Sequence, residues 1–280
     1  METCPLSEVW RKREVWIFLC LIVIVNTLFI AGINFGLLPL RLYNVGRFLL
    51  LGLTLATVVF AIRRFKGLRE LFHSLGVWRV NPLWYVLALF WAPSLSILFL
   101  AAKSLVTGDN AFEALTYELV LQPSLMRTVV IASFIGEIVW VAYSINTLSK
   151  RFGMLAGSLI VGCFWTLWWV PMALFGKGIV PELPIGPLFV SMLGIATMCG
   201  FVYLSSRSGP AVLLLQIMVN TSFLVFPVTP TNGGTSTYLA FSATYLLASL
   251  ALFILFGPRP LFGRSPAVSG GGTVEPAIAA

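Results

Sequence analysis

Eight apolar runs divide the chain, and short segments between them carry most of its charge. Each run is continuous and close to the roughly 20 residues that a helix needs to cross a hydrocarbon core. The runs lie at about residues 15–36, 47–62, 83–101, 128–147, 154–175, 185–204, 210–228 and 237–256. This pattern predicts an all-α, polytopic transmembrane helix bundle of about eight spans. The strands of a membrane barrel would instead alternate apolar and polar positions.

Basic residues are unevenly distributed between the two sets of connecting segments. Of the 18 lysines and arginines, five fall on the side opposite the N-terminus: Arg41, Arg47, Lys103, Arg127 and Lys177. Because basic residues collect in cytoplasmic loops, the bias predicts a multi-pass protein of the cell membrane with both termini cytoplasmic. The first span follows a basic run but is too long for a signal peptide and lacks a small-residue cleavage site. We therefore expect an uncleaved first helix.

The same pattern divides the chain into five regions. They are a cytoplasmic N-terminus (1–14), the first two helices (15–62), a basic cytoplasmic loop (63–82), a transmembrane core (83–256) and a disordered cytoplasmic tail (257–280). The tail is rich in small and polar residues, which do not support a packed core.

Two of the connecting segments are predicted to form short helices. Residues 63–82 are typical of a basic amphipathic helix at the membrane surface. Its apolar side would be formed by Leu68, Leu71, Phe72 and Leu75. On the other side of the membrane, residues 103–126 are predicted to contain a helix capped by Asp109 or Asn110, with Phe112, Leu115 and Leu119 on one face and Glu113 on another. That helix either covers an entrance or is an ordinary solvated helix.

The composition agrees with a membrane protein and excludes several other classes. The chain is 59% hydrophobic and 10% charged, whereas soluble domains are about 25% charged. Cytoplasmic loops account for the net charge of +8, so we expect the lipid bilayer as a partner and no nucleic acid. With one histidine and four cysteines in no metal-ligand spacing, the sequence predicts no metal site and no cofactor.

Polar side chains interrupt two of the spans. Glu137 lies near the middle of the fourth span, where a carboxylate costs about 2.5–3.5 kcal/mol on insertion scales. It is either a catalytic or proton-handling group, or a structural carboxyl hydrogen-bonded to a neighbouring helix. Gln216 and Asn220 share a helical face in the seventh span, and interhelical hydrogen bonding is the simpler interpretation for them. These residues do not form a complete catalytic set, because the only histidine, His73, lies in a loop.

Three segments in order resemble the motifs of the CPBP family, the CAAX proteases and bacteriocin-processing proteins, also called the Abi family. Residues 135–143 (IGEIVWVAY) are similar to the family's Glu-Glu-x-x-x-Arg motif, often Gly-Glu-Glu-x-x-Trp-Arg-Gly-Tyr. Residues 165–171 (WTLWWVP) resemble Phe-x-x-x-His, often ending Trp-His-x-Pro, and residues 215–220 (LQIMVN) resemble His-x-x-x-Asn. The resemblance covers roughly residues 63–256 and implies an eight-span intramembrane endopeptidase fold.

The chain departs from the family at most of the positions that carry the chemistry. The family uses the first glutamate and first histidine to activate water, and the second histidine with the asparagine to stabilise the oxyanion. When Trp140 and Tyr143 are aligned with the first motif, only Glu137, as the second glutamate, and Asn220 match. The replaced positions are Gly136 (first glutamate), Val141 (arginine), Trp169 (first histidine) and Gln216 (second histidine). A register shifted by one residue would place Glu137 on the first glutamate, but both histidines and the arginine would still be missing.

Three hypotheses follow from these departures. The first is an inactive or impaired family member, kept as a binding or regulatory scaffold for a membrane protein or a lipidated peptide. The second is a working endopeptidase with a reduced set, in which Glu137 is the base and Gln216 and Asn220 are oxyanion donors. The third is a small-molecule transporter lined by the same three residues.

Overall fold

The computed structural model describes residues 5–176 and 183–257, without the side chains of residues 5–12 and 44. Over these ranges the chain forms helices and turns and contains no strand. Nearly all of the predicted disordered tail, residues 258–280, lies outside the described residues.

Eight helical segments of the described chain are long and apolar enough to cross a membrane, which confirms the predicted fold class. The helices are α1 (Pro5–Asn34), α2 (Tyr43–Leu71), α3 (Leu83–Thr107), α4 (Pro123–Gly136), α5 (Asn146–Phe152), α6 (Met154–Leu174), α7 (Ile185–Ser206), α8 (Gly209–Val225), α9 (Pro230–Gly233) and α10 (Thr235–Phe256). A π-helical segment, Glu137–Ile145, joins α4 to α5 within one span. The end of the bundle at which α1 ends and α2 begins is termed the distal end, and the opposite end the proximal end. The predicted cytoplasmic position of the termini stays a prediction.

Helix α7 lies at the centre of the bundle, between α6 and α10. Small residues allow these helices to approach closely, as is typical of packing in membranes. A Cβ atom added to Gly194 would lie 3.1 Å from the Cα atom of Leu246 in α10, and one added to Gly162 of α6 would lie 3.1 Å from the Cα atom of Leu193. The other close helix pairs are α1 with α2 and α3 with α8.

The π-helical segment widens the fourth span at the point where Glu137 lies. The Ser144 hydroxyl donates to the carbonyl of Val139, five residues earlier, at 2.7 Å. Wide turns of this kind are rare and are frequent at functional sites. The sequence predicted a regular span over 128–147, and the observed span is Pro123–Phe152. The fifth predicted span, 154–175, agrees with α6 (Met154–Leu174), which continues through Pro171.

The prediction of a helix within residues 103–126, capped by Asp109 or Asn110, is wrong. Helix α3 continues to Thr107 and ends at Gly108, whose φ of 75° is left-handed, and turns follow instead of a second helix. Asn110 does not cap a helix, because its side-chain oxygen accepts from the Phe112 N–H in a local turn at 3.1 Å. The Thr116 N–H donates to the carbonyl of Val225 at the end of α8, so the segment is tied to the distal end in irregular form.

The amphipathic helix predicted over residues 63–82 is shorter than expected. Helix α2 runs to Leu71 with a break at Arg64, which has a left-handed φ of 58°, and a 3₁₀ turn follows at His73–Gly76. Leu71 is buried, whereas Phe72 is exposed because the helix ends before it. Leu68 and Leu75 pack against the core, and the short helix therefore presents only part of its predicted apolar side.

A partly buried ion pair joins α1 and α2, and a hydrogen bond joins it to the π segment, in the proximal half. Glu14 was assigned to the cytoplasmic N-terminus, but in the structure it lies in α1 and is 1% exposed. One carboxylate oxygen accepts from Arg63 Nε at 2.7 Å, and the other accepts from the Tyr143 hydroxyl at 2.8 Å. Arg63 also contacts the exposed Glu70 at 3.3 Å.

Candidate functional site

A cavity of about 200 Å³ lies between α2, α4, α6, α7 and α8. It occupies the distal half, since Tyr43 near the start of α2 and Met172 near the end of α6 both line it. A polar cavity needs roughly 10–15 Å³ to hold one water, so this one has room for a larger molecule. Most of its wall is apolar or aromatic, and its only charged lining residue in the described chain is Arg47.

The side chain of Gln216 packs closely against Gly136 in the cavity wall. A Cβ atom added to Gly136 would lie 2.6 Å from Gln216 Oε1, which is closer than real Cβ contacts. The amide group of Gln216 therefore fills the space into which a side chain at position 136 would extend. Both residues are almost fully buried, and Gln216 Nε2 has no hydrogen-bond partner in the described part of the protein.

Asn220 lines the same cavity, one helical turn after Gln216. Its amide nitrogen donates to the Ser133 hydroxyl at 3.3 Å and to the carbonyl of Gln216 at 2.9 Å. Because a side-chain amide has two N–H donors, both are engaged in this structure.

Trp169 and Trp168 form an aromatic wall with Arg47. The guanidinium carbon of Arg47 lies 4.1 Å from the ring centroid of Trp168 and 4.6 Å from that of Trp169, distances at which a cation–π attraction is strong. Trp165 and Trp140 stack behind them at 5.5 Å. Trp169 is the residue that the predicted alignment assigns to the first histidine of the family, and it lines this cavity.

Glu137 is buried outside the cavity. Its Oε1 atom accepts from the Ser74 hydroxyl at 3.0 Å, and the other oxygen has no partner among the described residues. A Cβ atom added to Gly209, at the proximal start of α8, would lie 2.8 Å from Glu137 Oε1. Neighbouring residues 136 and 137 thus face in different directions, Gly136 to the cavity and Glu137 to the junction of Ser74 and Gly209.

The structure brings four of the six singled-out positions to one cavity: Gly136, Trp169, Gln216 and Asn220. Glu137 and Val141 are both fully buried and are not part of its lining. No group of three histidine, cysteine, aspartate or glutamate side chains that could hold a metal ion occurs in the described ranges.

Sequence reasoning missed Arg47 by assigning it to a distal loop. It lies in the first turns of α2 and is 3% exposed. The signal available in the sequence was its position as the first residue of the second apolar run, 47–62. A cation in that place can be drawn into the bundle, and a buried intramembrane cation is a functional-site hypothesis by default.

Comparison with protein families gives a match to part of the chain. Residues 119–222 match the family model described as type II CAAX prenyl endopeptidase Rce1-like. No curated protein matches the chain. The matched segment contains five of the predicted site positions, Gly136, Glu137, Trp169, Gln216 and Asn220. The match confirms the predicted resemblance to the CAAX-type endopeptidases. The chain therefore carries an Rce1-like segment within a multi-pass helical membrane architecture.

Proposed function

We propose that this protein binds a membrane-associated or lipidated peptide in the cavity without hydrolysing it, and that it serves as a binding or regulatory scaffold. The observation that carries the proposal is the absence of a proton acceptor suited to water activation in the described cavity wall. Gly136 has no side chain, and the indole N–H of Trp169 donates but does not accept a proton. A general base must lie within about 2.6–3.2 Å of the proton that it removes.

The position of Glu137 supports the same proposal over an endopeptidase with a reduced set. Its carboxylate is hydrogen-bonded to Ser74 and is not part of the cavity lining. Asn220, the second member of that set, has both amide donors engaged by Ser133 and Gln216. Hydrolysis would require both side chains to leave these partners.

The proposed setting is the cell membrane with both termini in the cytoplasm, as the distribution of basic residues predicts. In that orientation the cavity lies in the half of the bundle that faces away from the cytoplasm, because it is close to the distal end.

A cleavage assay in proteoliposomes tests the proposal. Wild-type protein and Glu137→Gln are each incubated with a farnesylated CAAX-type peptide and with a generic transmembrane peptide. An active type II CAAX prenyl endopeptidase, reconstituted in the same way, is the positive control. We expect the wild type and Glu137→Gln to give the same turnover as protein-free liposomes. Wild-type turnover that disappears in Glu137→Gln would instead support the reduced-set endopeptidase.

A further inference from the structure

Arg47 is a buried cation without a counter-ion in the described part of the chain. The ion pairs found there all involve Arg63, and no described carboxylate lies within ion-pairing distance of Arg47. Removing a charge from water without a partner is costly, and such groups in membrane proteins normally face a partner or a functional cavity. Arg47 faces the cavity described above.

Aromatic rings surround the guanidinium of Arg47, and one of its nitrogens has a hydrogen-bond acceptor among the described residues. Its central carbon lies within 6 Å of the ring centroids of Tyr43, Phe48, Trp168 and Trp169. A guanidinium has five N–H donors in its plane. One nitrogen donates to the Tyr43 hydroxyl at 3.3 Å, whereas Nε has no acceptor among the described residues. The edge can therefore donate to an additional acceptor.

Other polar groups of the wall are also donors without acceptors. The indole nitrogens of Trp168 and Trp169 and the Nε2 atom of Gln216 have no hydrogen-bond partner in the described ranges. No carboxylate lines the cavity there, and the remaining wall is mostly leucine, methionine, valine and aromatic side chains. A ligand complementary to this wall carries a negative, hydrogen-bond-accepting group joined to an apolar chain.

We propose that the cavity binds the carboxylate of a single-chain amphiphile, with Arg47 as its anchor. This inference rests on the proposed function, because it names the ligand class of a cavity that binds without hydrolysing. A carboxylate can accept two parallel N–H bonds from a guanidinium edge, and the apolar surroundings strengthen the attraction between the charges. A fatty acid and the free C-terminus of a lipidated peptide both provide this chemistry.

The direct test compares an acid with its uncharged ester on the wild-type protein. The protein is placed in nanodiscs of zwitterionic lipid, and quenching of tryptophan fluorescence by dibromostearic acid is compared with quenching by its methyl ester. Because hydrogen bonds to charged groups are strong, we expect the acid to bind about tenfold more tightly or better. In a second arm, farnesylated peptides with a free or an amidated C-terminus compete with the brominated acid. Competition by the free form alone identifies the lipidated peptide as a source. No competition identifies the fatty acid as the ligand and contradicts the proposed peptide-binding function, while the preference for the acid over the ester stands.

Matched variants assign the preference to one arginine. Arg47→Gln should bring the ratio of acid to ester affinity close to one, and Arg47→Lys should retain part of it. Arg41→Gln removes an exposed arginine at the same end of the bundle and should leave the ratio unchanged.

A ratio of acid to ester affinity near one in the wild type overturns the inference, and this result does not depend on whether any variant folds. A full preference in folded Arg47→Gln overturns it as well. Peptide turnover in the cleavage assay would overturn the proposed function and leave this ratio intact, so the two failures are distinguishable.

Discussion

We expect Arg63→Met to lower the free energy of unfolding by about 1–3 kcal/mol, the cost of leaving the buried Glu14 carboxylate without one of its hydrogen-bond partners, because Arg63 itself is partly exposed. Glu14 is 1% exposed, and its carboxylate would retain only the Tyr143 hydroxyl as a described partner. The variant should also unfold at a lower temperature in detergent. The measurement is equilibrium unfolding in mixed micelles of increasing SDS content.

The control for this prediction is Arg69→Met, which removes an exposed arginine from the same helix. We expect a change within about 0.5 kcal/mol for that variant, as for most surface substitutions. The double variant Glu14→Gln with Arg63→Met should lose less stability than the sum of the losses of the two single variants, because it contains no charge that has been left without its partner. Equal stability of Arg63→Met and Arg69→Met would show that the pair does not stabilise the bundle.

Gly209→Ala is the second substitution with a large expected effect, a loss of about 1–3 kcal/mol from overpacking. The added methyl group would lie 2.8 Å from Glu137 Oε1 and 2.9 Å from the backbone carbonyl carbon of Ser74. A backbone atom cannot rotate away, so the start of α8 must separate from the 3₁₀ turn at His73–Gly76. The same unfolding measurement applies.

Gly186→Ala is a matched control for this site. Both glycines lie in the first turn of a helix and precede a proline, at Gly186-Pro187 in α7 and Gly209-Pro210 in α8. A Cβ atom on Gly186 would contact nothing within 4 Å, and we expect this variant to be neutral. If the two alanine variants have the same stability, the tight junction around Glu137 is not present in the protein.

The spans were predictable from the sequence because lipid leaves a helical segment few alternatives. Continuous apolar runs give helices whose length follows from the thickness of the bilayer, and eight of them are observed. Segments at the membrane surface have no such constraint. Side-chain and backbone hydrogen bonds at Asn110 and Thr116 replaced the helix that amphipathic spacing predicted.

The residues that line the cavity were only partly predictable from the sequence. The motif spacing singled out Gly136, Trp169, Gln216 and Asn220, which lie around one cavity. The motif spacing did not identify Arg47, because its partners Trp168 and Trp169 are about 120 residues away in the sequence. In addition, the distribution of basic residues in membrane proteins favours assigning a cation at the end of a span to a loop.

The surroundings that the Glu137 side chain faces could be determined only from the structure. Two adjacent residues of one helix turn face different surroundings, and a shift of one residue in the alignment would exchange them. The sequence left that register open. The structure places Gly136, not Glu137, in the cavity wall, and the correspondence of either residue to the first glutamate of the family stays a prediction. The π-helical segment that begins at Glu137 was not predicted from the sequence.

Oxygen-18 labelling tests most directly whether the cavity binds peptide without hydrolysing it. The reconstituted protein is incubated with a farnesylated peptide in H₂¹⁸O, and the peptide that co-purifies with it is analysed by mass spectrometry. Hydrolysis would place one water oxygen in each new carboxylate, even in a single turnover. We predict intact, unlabelled peptide from both wild type and Glu137→Gln. A shortened peptide carrying ¹⁸O from the wild type, and not from Glu137→Gln, would contradict the claim.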